Sequence, residues 1–302
     1  MTLRRQILPL TEKRHSRSQN IDRWSTGQLV AFINSEDKLV APAVGRQRKN
    51  ISAAVDLIVS RIEQGGRLFY VGAGTSGRLG VLDAAECPPT FGVKPTLVQG
   101  IIAGGRRALV RAIEGAEDDS PAGAQAIKNK RVKSLDVVVG IAACGLTPFV
   151  RGALGHASSL HAATIFITCA PEVVNQIPAD VIINPVVGPE IITGSTRLKA
   201  GTATKLVLNT LTTAAMIKLG KVYGNLMVDL RATNDKLRDR SLRIVRELTR
   251  LSGPRAQKLL DSAQGRVKPA IVMHFHQIHL KQALRILRQN RQSLRQSLTE
   301  KK

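Results

Sequence analysis

The feature that most restricts the fold is a set of short, almost uncharged runs, each bounded by glycine, proline or helical sequence. RLFYVGAG at 67–74, LDVVVGIAAC at 135–144, ATIFITCA at 163–170 and DVIINPVV at 180–187 are rich in β-branched and aromatic residues and do not alternate with polar ones. Strands that are apolar on both faces belong in a parallel sheet covered on both sides. The first run passes at once into SGRLGVLDAAE and the second into TPFVRGAL, both with helical spacing. Strand, tight loop and helix therefore alternate, which predicts an α/β fold. Residues 28–64 carry apolar positions at helical spacing, with Asn34 and Ser35 as candidate N-caps before Glu36 and Asp37, and with Gly65 and Gly66 as the stop. Residues 196–220 read as one long helix opened by Gly194 and capped by Ser195 or Thr196. Beyond about residue 235 the texture changes to short basic amphipathic helices punctuated by Gly253, Pro254 and Gly265, which predicts a small helical bundle. The expected organisation is an N-terminal helical arm (1–50), an α/β domain (51–230) and a basic C-terminal helical subdomain (231–302).

Composition excludes several classes. With 43% hydrophobic residues, the chain has apolar material for a sizeable core and is not disordered along its length. Three cysteines, Cys87, Cys144 and Cys169, show no CxxC spacing, so neither a disulfide framework nor a zinc site is indicated. No run of about 18 uncharged apolar residues occurs, and the first residues lack the apolar core of a secretory signal, so a soluble cytoplasmic protein is expected. The net charge of +23 is unusual, and it is unevenly spread: +6 over residues 1–50, +4 over 51–230 and +13 over 231–302. Aromatics make up 3%, too few for the stacking surface of a single-strand binder, so nonspecific attraction to nucleic acid fits better than specific recognition.

Three places could carry chemistry. Gly72-Ala73-Gly74-Thr75-Ser76-Gly77 joins a strand to a helix, where backbone amides and the Thr75 and Ser76 hydroxyls can hold an anion. Arg78 occupies the sixth place of GxGxxG and no GK[ST] follows, so a phosphate cradle and a purely structural turn both remain open. Cys144-Gly145-Leu146-Thr147 follows the second strand; Thr147 could donate to a phosphate, while Pro148 at the first helical position explains the segment without a ligand. Glu86 and Glu117 are acidic residues in a basic chain, the first in DAAECPP and the second in EGAEDD. They could transfer protons, or 114–119 could be a solvated helix cap. His274, His276 and His279 lack a carboxylate or cysteine to complete a ligand set, so no metal is expected, and Ser76 has no paired His and Asp at a recognisable spacing.

The longer words are more specific. TEKRHSRSQNID, INSEDKLVAPAV, YVGAGTSGRLGVLDAAECPPTFGV, AIEGAEDD, GPEIITGSTRLKAGTATKLVLN and KVYGNLMVDL closely resemble N-acetylmuramic acid 6-phosphate etherases, which carry a sugar isomerase (SIS) domain. The resemblance runs from about residue 10 to VKPAIVM near the C-terminus. It implies an SIS-type three-layer sandwich with a central, mainly parallel sheet flanked by helices. It also implies a homodimer, and an amino sugar phosphate as substrate. The implied reaction cleaves the D-lactyl ether by elimination and rehydration, without a cofactor. By motif, Glu86 matches the family's proton-donating acid and Glu117 its second catalytic carboxylate. Thr75, Ser76 and Gly77 match the loop that holds the 6-phosphate, helped by Thr147 and by Ser195 and Thr196. One segment departs: relatives read roughly ASGRTPY where this chain has Ala143-Cys144-Gly145-Leu146-Thr147-Pro148-Phe149, losing a hydroxyl, a guanidinium and a phenol. A lost hydrogen bond to a charged group costs about 1.5–3 kcal/mol, so a regulator that binds the sugar phosphate with little turnover is the alternative expectation.

Overall fold

The computed structural model describes residues 8–145, 147–230 and 234–299. The chain forms two compact units, Met1–Ala85 with Thr96–Thr212, and Glu86–Pro95 with Thr213–Lys302.

The first unit opens with an irregular arm containing two short turns of 3₁₀ helix, Leu10–Glu12 and Ile21–Arg23. Three helices follow: α1 (Thr26–Asp37), α2 (Val40–Arg46) and α3 (Arg48–Glu63). The caps expected at Asn34 and Ser35 lie inside α1 instead. Ser25 is the cap, because its side chain accepts from the Gln28 amide while the Gln28 side chain accepts from the Ser25 amide. This reciprocal pair satisfies two otherwise orphaned donors.

A five-stranded sheet follows, with β1 (Leu68–Gly72), α4 (Gly74–Phe91), β2 (Val98–Ile102), α5 (Ser120–Asn129), β3 (Val137–Ile141), α6 (Pro148–Ser159), β4 (Ala163–Ile167), β5 (Val181–Ile183) and α7 (Lys199–Lys218). The strands are all parallel in the order β2-β1-β3-β4-β5. Their uncharged character is explained by burial: every residue of β1, β3 and β4 is buried. Phe69, Val71, Val138 and Phe166 face a core shared with Ile127 of α5 and Phe149, Val150, Ala153 and Leu154 of α6. On the other face α4 lies so close that a Cβ at Gly80 would stand 2.8 Å from the Tyr70 Cβ and 3.4 Å from Ile141. The result is the expected three-layer α/β sandwich.

The second unit is helical, with α8 (Asp235–Thr249), α9 (Gly253–Ser262), α10 (Val267–His276), α11 (Leu280–Gln289) and α12 (Leu294–Thr299). Val228, Leu237, Ile244, Val245, Leu260, Ile271, Leu287 and Leu294 form its core. A lysine is buried in it: Lys268, 1% exposed, donates to Asp229 at 2.7 Å and to the Gln292 carbonyl at 2.6 Å. Burial lowers its pKa against the opposing pull of Asp229. Among the described residues, no helix is long and apolar enough to cross a membrane.

Candidate active site

In a sheet ordered 2-1-3-4-5, the connections leave β1 and β3 in opposite directions, and the crevice beyond their carboxyl ends is where such sheets bind ligands. The two strands end level here, with Gly72 paired to Ile141. The loops that follow them are the glycine loop and the 142–147 segment.

After β1 the chain turns directly into α4, which begins at Gly74 with φ +50°. Glycine is required where strand end and helix start touch: a Cβ at Gly72 would lie 2.7 Å from the Gly77 nitrogen, and one at Gly77 2.7 Å from the Gly72 oxygen. The Gly77 amide turns back onto the Ala73 carbonyl at 3.1 Å. The amides of Gly74, Thr75 and Ser76 precede it and have no carbonyl within the helix to receive them, so a helix end rich in donors faces the crevice. Thr75 and Ser76 are half-buried.

Across the crevice, Gly145 has φ +81° and a Cβ there would fall 1.9 Å from the Val173 side chain. Thr147 is the N-cap residue of α6 and is buried, yet its side chain makes no capping hydrogen bond. Cys144 is half-buried, and Leu146 lies outside the described residues. Ser195 and Thr196 are half-buried in turns before α7. That helix starts at Lys199, three residues later than expected, and Leu198, whose carbonyl accepts the Thr202 amide at 2.9 Å, holds the N-cap position. The buried carboxylate of Glu190 receives the first amides, accepting that of Lys199 at 3.1 Å and that of Ala200 at 2.9 Å. Burial nevertheless raises the pKa of Glu190, outweighing these two hydrogen bonds and the charge of Lys199. The first turn of α7 adjoins the glycine loop: a Cβ at Gly201 would lie 3.3 Å from the Thr196 oxygen and 3.5 Å from Thr75 Cγ2.

Glu117 is exposed and lines a cleft of about 150 Å³ together with Ala73, Gly74, Arg78, Arg111 and Glu114. Its carbonyl accepts the Phe149 amide at 2.9 Å, tying the acidic loop to the start of α6. Asp119 caps α5 by accepting the Ala122 amide at 2.8 Å. The 114–119 run is thus both a helix cap and the wall of a cleft. Arg78 and Arg111 are cationic members of the cleft that the residue patterns did not single out. Arg78 donates to the Leu109 and Arg111 carbonyls at 3.1 and 3.0 Å, holding that wall in place. Glu86 lies exposed about three turns along α4 from Gly74, and is not among the residues lining the cleft. Beneath α4, Asp83 accepts from Tyr70 at 2.9 Å, Thr212 at 3.2 Å and Asn209 at 3.3 Å. Burial raises its pKa.

His276 Nε2 sits 2.7 Å from the Ser297 carbonyl and His279 is the N-cap residue of α11, so each has a structural place.

Sheet order, the glycine loop and the facing loop after β3 make this a doubly wound α/β domain, and its match to a family model places it in the SIS class. Residues 50–158 match the family model described as the glucokinase regulatory protein N-terminal SIS domain. Over its length the chain is 52% identical to an N-acetylmuramic acid 6-phosphate etherase of Synechocystis sp., across 96% of this chain and 95% of that one. It is 54% identical to the etherase of Gloeobacter violaceus, across 88% and 87% of the two chains. The chain belongs to the N-acetylmuramic acid 6-phosphate etherase family. A solved phosphoheptose isomerase from Francisella tularensis superposes with a TM-score of 0.49 at 16% identity, covering 64% of this chain and 99% of that chain.

Proposed function

We propose that the chain is a carbon–oxygen lyase that cleaves the ether of N-acetylmuramic acid 6-phosphate, yielding N-acetylglucosamine 6-phosphate and D-lactate. The observation that carries this reading is the cleft between the donor-rich start of α4 and the segment after β2, which Glu117 lines together with Arg78 and Arg111. In the open-chain sugar the C1 carbonyl acidifies the C2 proton. A carboxylate takes that proton, the C3–O bond breaks, and the departing lactate oxygen receives a proton from a carboxylic acid. Water then adds to C3 of the unsaturated aldehyde and C2 regains its proton, so the balance is one ether and one water consumed for two products. Glu86 and Glu117 are the acid and its partner in this scheme. Thr75, Ser76, Gly77 and Thr147 hold the 6-phosphate, with Ser195 and Thr196 closing that side.

The 51–230 segment carries the sugar phosphate in this reading, and the protein works as a cytoplasmic homodimer. Val30 and Ile33, exposed on α1, supply apolar surface that a second copy would cover. Cys87, Cys144 and Cys169 form no disulfide, in keeping with a reducing compartment.

The test is D-lactate release from the purified protein beside Glu86→Gln and Glu117→Gln, each expected to lose about 10²–10⁴ in rate. A silent wild type that still binds the sugar phosphate would overturn the etherase reading and move attention to the altered 143–149 segment.

A further inference from the structure

The charge that the etherase reading leaves unexplained is concentrated on one part of the second unit. From Ser262 to Thr299 the chain has seven cationic side chains and no carboxylate. Lys268 is buried against Asp229, and the other six, Arg266, Lys281, Arg285, Arg288, Arg291 and Arg295, are exposed. On α11, Lys281, Arg285 and Arg288 are spaced i, i+4, i+7, which sets them in one row about 10 Å long on a single helix face. Among the described residues no carboxylate pairs with them. The cations of α8 differ: Arg238 is held to Asp235 at 2.5 Å and Arg243 to Asp239 at 2.9 Å. The α8 charge is thus partly neutralised within the helix, while the α11 row projects an uncompensated field.

We propose that the α11 row is a docking surface for the phosphate backbone of duplex nucleic acid, bound without sequence preference. Charge complementarity and spacing argue for a dense array of phosphates. A lipid surface fits less well, because interfacial helices bind by sinking an apolar face, and that of α11, through Ala283 and Leu287, is buried in the core of its own unit. A single strand fits less well too. The unit's aromatics are Phe91, which is buried, Tyr223, which lies under the Arg295 guanidinium at 5.1 Å, and Phe275, which is exposed, so no stacking platform exists.

The experiment is fluorescence anisotropy of the full-length protein with a random-sequence DNA duplex across salt concentrations, and with phosphatidylglycerol vesicles in parallel. Three engaged cations give a slope of log affinity against log salt of about −2.7, hence a loss of about 40-fold between 50 and 200 mM salt. A Lys281→Ala, Arg285→Ala, Arg288→Ala triple variant is expected to lower the slope by about 2.7, whereas Arg238→Ala with Arg243→Ala leaves it almost unchanged. Retained D-lactate release and an unchanged melting temperature establish that the triple variant is folded. The proposal is overturned if the wild type does not bind duplex at 50 mM salt, if the two variants change the slope equally, or if vesicles bind as tightly and lose binding in the same triple variant.

Discussion

At the scale of single residues, the two loops of the crevice were legible because each depends on local chemistry. Gly72 and Gly77 stand where backbones come within 2.7 Å of a would-be side chain, and a glycine run between strand and helix is the visible trace of that approach. Arg78 and Arg111 left no such trace, since an arginine in a basic chain carries no local signal of the cleft it lines. Thr147 is buried at the N-cap of α6 with a hydroxyl that does not cap, so its oxygen is available to a ligand. Thr147→Val, close in shape, is expected to raise KM for the sugar phosphate about tenfold or more with little change in kcat or melting temperature. Steady-state kinetics decide it, and an unchanged KM would remove Thr147 from the phosphate site. The thiol of Cys169 is pushed up to about 12, first by burial and then by Glu190. A thiol reagent at pH 8 should therefore modify half-buried Cys144 while Cys169 waits for unfolding, which mass spectrometry of the labelled peptides would reveal.

At the scale of elements, the strands with continuous apolar runs could be read from sequence, and the failures have a common cause. β2 went unseen because its residues, Val98-Gln99-Gly100-Ile101-Ile102, include a half-buried glutamine and a glycine at the point where α4 crosses, with Val81 atoms 2.6 Å from a would-be Cβ. Ser195 and Thr196 are good capping residues and predict the start of α7, whereas Glu190 reaches the amides of Lys199 and Ala200 from nine and ten residues back. Local propensity yields to this contact because the buried carboxyl offers one oxygen to each of two amides that would otherwise go unpaired. Glu190→Ala strands two amides at about 1–3 kcal/mol each, so the melting temperature should fall by several degrees; Glu190→Gln, which keeps one acceptor, should recover part of that fall. The pH dependence has a definite sign. A carboxyl whose folded pKa is raised above its ordinary 4.5 contributes fully below that value and loses its contribution as pH climbs through the folded pKa.

At the scale of the whole molecule, the arm is held by contacts that no local pattern announces. Glu36, 2% exposed, receives Lys199 Nζ at 2.6 Å, His15 Nε2 at 3.2 Å and the guanidinium of Arg17. Burial alone would raise the pKa of Glu36; hydrogen bonding to Lys199 and the charges of Lys199 and His15 outweigh it and leave the carboxyl below its ordinary 4.5. The sign is opposite to that of Glu190: the stability from Glu36 is present above 4.5 and lost as pH falls through the lowered value. Glu36→Gln removes the carboxylate paired with the buried Lys199 ammonium and should cost about 3–5 kcal/mol at neutral pH. Denaturant melts against pH would show the gap between variant and wild type closing below 4.5. The arm is fastened at two further points, where the Leu10 amide meets Glu172 at 3.2 Å and Ser18 Oγ meets the Ile191 carbonyl at 2.9 Å. These fastenings impose an order in time. Ser18 leaves the ribosome 173 residues before Ile191, which at 5–20 residues per second is a wait of roughly 10–35 s. Until Lys199 follows, Glu36 is a carboxylate in water without its lysine, so the arm is sealed only after most of its own unit has been made, and a pause in translation before Lys199 would prolong its exposure to proteases.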